Sequence, residues 1–303
     1  MPRIAVGQLR PDRPLAETVA KIVELLKAAA LDGVDILCLP EAALTGYVAC
    51  SIAAALADPT ALAAAETAVR AACREARVAC VLGTPFMDTG DGEGAGVSGV
   101  ASGGEASTEA SAGKARTFNS AVLIGKDGAV VGRQHKMQLV PPDRTGLPVE
   151  AGGTGVGWAC AYGHQLSVFE LEEVPCSVVI CHDVRFPELC RLPVLAGARV
   201  IFFIACEQWH DDKPLNGDHA DDADGSSSGG GGGMGVDGSG GGSGSGGGVG
   251  GVGAWGAERF VAEKGVYSAQ IQARAAENCV WLAKANVSGC RDPVDDDRGL
   301  RAK

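Results

Sequence analysis

What most constrains this chain is a series of short apolar runs, VDILCLP, VACVLGTPF, SVVIC, RVIFFIA and CVWLAKANV, separated by turns and by helix-periodic sequence. Runs of roughly 4–8 apolar residues are the pattern of strands buried on both faces, and such strands need helices to cover the sheet they form. The opening shows the arrangement in small. RIAVGQL leads to a helical stretch from Leu15 to Ala30 with Val19, Ile22, Val23 and Leu26 on one face, and that stretch leads to VDILCLP. This is a β-α-β unit. A second helix over Ala61 to Arg77 feeds VACVLGTPF, and the fold class expected is α/β.

Phe118 to Ile124 and Ala129 to Gln134 read as strands joined by Gly125-Lys126-Asp127-Gly128, whose Asp-Gly is a hairpin signal. Strands are expected at Gln165 to Leu171 and Ser177 to Ile180, followed by a helix over Phe186 to Ala196 and the strand RVIFFIA. A last helix, Glu258 to Asn278, carries Tyr267, Ile271 and Ala275 in register and precedes CVWLAKANV. Two stretches break the pattern. Residues 89–116 are rich in Gly, Ser, Ala and Glu, and residues 211–256 run from acidic to almost pure Gly/Ser. Both are expected to be flexible inserts, because so few apolar side chains cannot offset the entropy of ordering. The expected organisation is one domain over 1–290, interrupted by the two inserts, with a charged tail at 291–303.

Several functions are excluded at this level. The net charge is −11, which argues against a nucleic-acid partner. No apolar run approaches the roughly 20 residues that span a bilayer, so no membrane partner is expected. A strand starting at Arg3 leaves no room for a secretory signal, and the expected compartment is the cytoplasm. The 11 cysteines are odd in number and scattered, many inside apolar runs (Cys38, Cys80, Cys160, Cys279), so they read as packing residues. No metal site is expected: His210 and His219 lie among aspartates without ligand spacing. Gly242 to Gly247 satisfies G-x-G-x-x-G, but no strand precedes it and no helix follows directly. Asn286-Val287-Ser288 matches a glycosylation sequon, which carries no weight without a secretory signal.

Three segments do carry chemistry. LCLPE, VVGRQHK and SVVICHD each bring a reactive side chain to the end of an apolar strand: Glu41, Lys136 and Cys181. A carboxylate, an ammonium and a thiol can together run acyl transfer, as base, oxyanion stabiliser and nucleophile. Individually each has an ordinary structural reading: a buried thiol, a solvated charge, a loop carboxylate or helix cap. In SVVICHDVRFPELCR the thiol stands between a strand, a polar turn and a helix, which resembles a nucleophile elbow.

LPEAALTGY, GRQHKMQL and CHDVRFPELCR resemble, in order and spacing, the three catalytic motifs of the nitrilase, or carbon–nitrogen hydrolase, superfamily. FNSAVLIGKDG and QIQARAAEN extend the resemblance from Arg3 to about Asn286. It implies a four-layer α-β-β-α sandwich, assembly into homodimers or larger homo-oligomers, no cofactor, and a Glu-Lys-Cys triad acting on a small amide-like molecule. Glu41 would be the base, Cys181 the nucleophile, and Lys136 with the backbone N–H of His182 the oxyanion donors. A small aliphatic amide is the expected substrate, ahead of an N-carbamoyl amide and then a nitrile. A shortened, non-catalytic binding module is the alternative of a different class.

Members often carry a second glutamate after the lysine. Here VPPDRTGLPVEAGG offers Glu150 and Asp143, with a structural loop role as the other reading of Glu150. Arg185 and Glu188 of RFPEL are expected to orient the turn and helix rather than react. Relatives continue past CVWLAKANV, whereas only a charged tail follows here, so the C-terminus is expected to be shortened.

Overall fold

The computed structural model describes residues 2–10, 13–47, 49–88, 116–140, 160–206 and 257–287. Two sheets lie in one unit, Met1–Trp209 with Ser268–Lys303; the other unit, His210–Tyr267, contributes the start of the last helix. The first sheet has the order β1 (Ile4–Val6), β2 (Ile36–Cys38), β3 (Ala79–Asp88), β4 (Arg116–Ile124), β5 (Val130–His135). Its first three strands are parallel and its last two antiparallel. The second sheet is β6 (Phe169–Leu171), β7 (Val174–Ile180), β8 (Val200–Ile204), β9 (Trp281–Ala285), with the last three parallel.

Helices α1 (Leu15–Leu31) and α3 (Pro59–Ala76) cover the outer face of the first sheet. Ile22, Leu26 and Ala29 on α1 recur at the helical repeat and are buried against Leu37, Leu39 and Val122 of the strands. Asp58 caps α3 by accepting from the Ala61 N–H at 2.9 Å, and Pro59 takes the first helical position, where its missing N–H costs nothing. The other face of this sheet meets the second in an apolar layer that includes Ile36, Val81, Leu123, Val178, Ile180 and Phe202. Beyond the second sheet, α4 (Pro187–Leu195) packs on β7, and the part of α5 (Ala257–Asn278) from Ser268 onward is tied to it by hydrogen bonds from Arg191 to Glu277 O and Asn278 Oδ1. This is the expected α-β-β-α sandwich. Among the described residues no helix is long and apolar enough to cross a membrane, and no group of His, Cys, Asp and Glu could hold a metal ion.

Three expectations need correction. The strand expected from Gln165 begins only at Phe169. Before it, the backbone is satisfied by side chains instead of a ladder. Gln134 Nε2 donates to Gln165 O at 2.8 Å, Gln134 Oε1 accepts from Ser167 N at 3.1 Å, and Ser177 Oγ donates to Ser167 O at 2.8 Å. Arg116, counted with the first insert, is the first residue of β4, opposite Asp88 in the ladder and ion-paired with it. Cys279 is exposed, not a packing residue, because it stands past the end of α5 with φ +52°, its thiol turned back toward Ala276 O at 3.6 Å. Helix α2 (Ala49–Ala57), which no marked periodicity announces, packs Ile52 against Leu139 and Cys160. Most of the two inserts and the whole charged tail lie outside the described residues.

Candidate active site

Glu41 follows β2 by three residues and opens a turn in which Ala42 has φ +50°. That turn is pressed onto β3: Leu44 N donates to Gly83 O at 3.0 Å, and a Cβ on Gly83 would lie 2.1 Å from Pro40 O and 2.8 Å from Glu41 Cα. Only glycine permits that approach. The carboxylate is 1% exposed. Its Oε1 accepts from Lys136 Nζ at 2.7 Å and from Asn119 Nδ2 at 2.8 Å, while Oε2 accepts from Cys206 N at 3.0 Å.

Lys136 is the first residue after β5 and is also 1% exposed. Its own N–H donates to Asn119 O at 2.8 Å, so Asn119 fixes both members of the pair. The strand end is held by His135, whose ring stacks on Phe118 at 4.3 Å and Phe86 at 5.6 Å between centroids. Burial, helped by the Arg133 charge, pushes His135 down to about 4, so it is neutral at physiological pH and shares a hydrogen bond of 2.7 Å with Ser120 Oγ. The Lys136 ammonium also sits 5.8 Å from the centre of the Tyr47 ring.

Cys181 is the residue after β7 and the first of a 3-10 turn, Cys181–Arg185, that leads through Phe186 to α4. It is half-buried and has φ +49°. A non-glycine residue in that region marks a conformation the surroundings enforce. Strand, sharp turn and helix follow one another as expected. The turn is locked by Asp183, 3% exposed, which accepts from Gln138 N at 2.6 Å, Ile180 N at 3.3 Å and Met137 N at 3.4 Å. Burial pushes its carboxyl up to about 7, against the pull of those N–H groups and of Lys136.

Glu41 and Lys136 are thus in direct contact, and Cys181 is joined to them through backbone. β8 pairs in parallel with β7, placing Ile204 beside Ile180, and two residues on Cys206 reaches Glu41. His182 and Arg185 are half-buried within the turn, the His182 ring edge-on to Phe186 at 5.7 Å, and Glu188 is exposed in the first turn of α4. Glu150 and Asp143 lie outside the described residues. Asn119, Asp183, Gly83 and the Cys206 N–H escape a reading of the sequence. For Asn119 a signal exists: an amide inside the otherwise apolar run FNSAVLI needs a buried partner. Chemically, the site offers a buried carboxylate with lone pairs to spare, a buried ammonium and a partly accessible thiol.

A family described as carbon-nitrogen hydrolase matches residues 3–220. A protein named hydrolase in agr operon, from Staphylococcus lugdunensis, is 36% identical over 93 residues, 30% of this chain and 35% of its own length. Apolipoprotein N-acyltransferase from Geobacter metallireducens is 29% identical over 147 residues, 46% of this chain and 24% of its own. The chain therefore spans well under two thirds of these relatives. Among solved structures, an amidase from Nesterenkonia sp. AN1, with acrylamide joined to its active-site cysteine by Michael addition, superposes with a TM-score of 0.59 at 22% identity, covering 95% of this chain and 80% of that one. A variant of the same amidase in complex with butyramide gives 0.58, also at 22% identity, over 95% of this chain and 77% of that one. At this identity the likeness shows the fold.

Proposed function

The chain belongs to the carbon–nitrogen hydrolase family, and from that premise we propose that it hydrolyses a small aliphatic amide to a carboxylic acid and ammonia through a thioester on Cys181. The observation that carries the reading is the buried Glu41–Lys136 pair beside the Cys181 turn. Removing two charges from water costs several kcal/mol per ion, and a buried pair is commonly no more stable than an apolar pair of similar size, on the order of 1–4 kcal/mol less so. Stability does not explain such a pair, whereas chemistry does.

Glu41, whose Oε2 accepts from Cys206 N, takes the Cys181 proton as sulfur attacks the substrate carbonyl carbon. The oxyanion is met by the Lys136 ammonium and the His182 N–H, each donor worth roughly 2.7–4 kcal/mol in the transition state. Collapse releases ammonia, which takes the proton from Glu41. Water, giving its proton to the same carboxylate, then cleaves the thioester to the acid and regenerates the thiol. The Nesterenkonia amidase, with acrylamide joined to its active-site cysteine in one structure and butyramide bound in another, supports an amide over an N-carbamoyl compound or a nitrile.

Ammonia release from a panel of short amides, N-carbamoyl amides and nitriles tests the substrate class. Cys181→Ala should abolish turnover while Cys38→Ala and Cys190→Ala keep it, since both of those thiols are buried and burial pushes each of them up, Cys190 to about 12. Mass spectrometry placing the acyl group on any other cysteine refutes the mechanism.

A further inference from the structure

The reactive groups come from different sheets. Lys136 follows β5 of the first and Cys181 follows β7 of the second, so no single ladder fixes their separation. One side chain bridges them. We propose that Asp183 is the positioning residue that sets the distance between the Lys136 ammonium and the Cys181 sulfur, holding the backbone after the lysine and the backbone before the cysteine on one buried carboxylate. This rests on the hydrolase reading given above.

Oδ1 takes the Gln138 N–H at 2.6 Å, and Oδ2 takes both Met137 N at 3.4 Å and Ile180 N at 3.3 Å. Met137 and Gln138 are the two residues after Lys136, and Ile180 is the residue before Cys181. All three donors are backbone groups, so the strap acts on chain position rather than on a side chain that could swing away. An ionised carboxylate serves all three with no donor of its own facing an N–H, because it is acceptor-only. An Asn in its place turns one oxygen into an NH2 donor facing at least one N–H, at unchanged size. The strap also explains why an acidic group is buried at 3% exposure where burial alone disfavours its charge.

The test is Asp183→Asn, compared with wild type by thermal unfolding, steady-state kinetics on the best amide of the panel, and the pH dependence of Cys181 alkylation by iodoacetamide. In the folded variant, kcat should fall at least tenfold with KM within about twofold, and the alkylation midpoint should move to higher pH as the lysine charge withdraws. A residue that only stabilised the fold would lower the melting temperature and move neither. Wild-type kcat and an unmoved midpoint in folded Asp183→Asn overturn the strap and leave the hydrolase reading standing; turnover in Cys181→Ala overturns the hydrolase reading.

Should the Asn variant fail to fold, wild type carries the test through Asp183 itself. Around this carboxyl lie Lys136 after β5 and Cys190 on α4, with Arg274 of α5 bonded to the adjacent Val184 O, and Cys181, His182 and Arg185 in its own turn. Between pH 8 and 6, hydrogen-exchange protection at the Met137, Gln138 and Ile180 amides should fall together with kcat, while the Lys136 amide, bonded to Asn119 O, keeps its protection. Protection unchanged at all three amides overturns the proposal.

Discussion

Replacing Lys136 by Met removes a charge without removing much shape, and the structure fixes what should follow. The ammonium is 2.7 Å from Glu41 Oε1 and both residues are 1% exposed, so the variant leaves a carboxylate buried without its cation. Breaking a buried pair in this way costs about 3–5 kcal/mol. Asn119 Nδ2 and Cys206 N remain on the carboxylate and put the expectation at the lower end, about 3 kcal/mol. That is a large share of the roughly 5–15 kcal/mol a domain possesses, yet the variant should still fold. Glu41→Gln in the same background removes the stranded charge, so the double variant should regain stability relative to Lys136→Met alone. Activity should behave otherwise. Loss of one oxyanion donor lowers kcat by roughly 10²–10³, and the second substitution removes the base and restores nothing. Urea unfolding of wild type, Lys136→Met, Glu41→Gln and the double variant gives the coupling energy, and ammonia release gives the activities. A double variant no more stable than Lys136→Met would refute the reasoning that an uncompensated buried charge dominates the cost.

Gly83→Ala should lower turnover and destabilise by roughly 1–3 kcal/mol, because its Cβ would fall 2.1 Å from Pro40 O and push the Glu41 turn off β3; kinetics with urea unfolding check it. His135 titrates near 4 in the folded protein against 6.5 for the free side chain, so the folded state favours its neutral form. The stability this contributes, about 3 kcal/mol at most, is fully present above pH 6.5 and lost as pH falls toward 4; in His135→Gln the unfolding midpoint should vary less steeply over that window. Asp183, raised to about 7, works with the opposite sign, gaining stability as pH falls below 7. Asn119→Asp should place a second carboxylate beside Glu41, and since two such neighbours cannot both stay ionised, one proton is held between them at neutral pH. Turnover should then be lost near neutrality and partly recovered at higher pH, and an unchanged pH–rate profile would exclude Asn119 from the site.

The legible and illegible parts of this molecule divide on a physical line. VDILCLP, SVVIC and RVIFFIA are visible in the sequence because strands covered on both faces tolerate little but apolar residues, and Gly125-Lys126-Asp127-Gly128 is visible because its turn needs φ +78° at Gly128. The placement of Glu41, Lys136 and Cys181 at strand ends follows from the same runs. What was not legible depends on partners distant in sequence. Residues 165–168 stay out of the sheet because Gln134, some thirty residues earlier, occupies their backbone groups. Asp183 looks like an ordinary polar turn residue, and its burial follows only once β5 is docked against its turn. Arg274 and Asn278 are buried on the face of α5 that carries the half-buried Ile271, because one donates to Val184 O and the other to Arg274 O; an apolar periodicity cannot reveal them.

These cross-sheet bonds also decide what the site reports about the fold. Glu41, from the first sheet, accepts from Cys206 N of the second, and Asp183, from the second, accepts from Met137 N and Gln138 N of the first. Each half therefore supplies the acceptor for the other's backbone, and neither half holds a competent site alone. The layer between them is apolar and non-directional, so it can loosen by small sliding without losing strands. The hydrogen bonds cannot, since a shift of an ångström breaks those from Gln138 N at 2.6 Å and Cys206 N at 3.0 Å. Activity should accordingly be lost in mild urea before circular dichroism records any loss of sheet or helix, with Cys181 alkylation tracking activity rather than secondary structure.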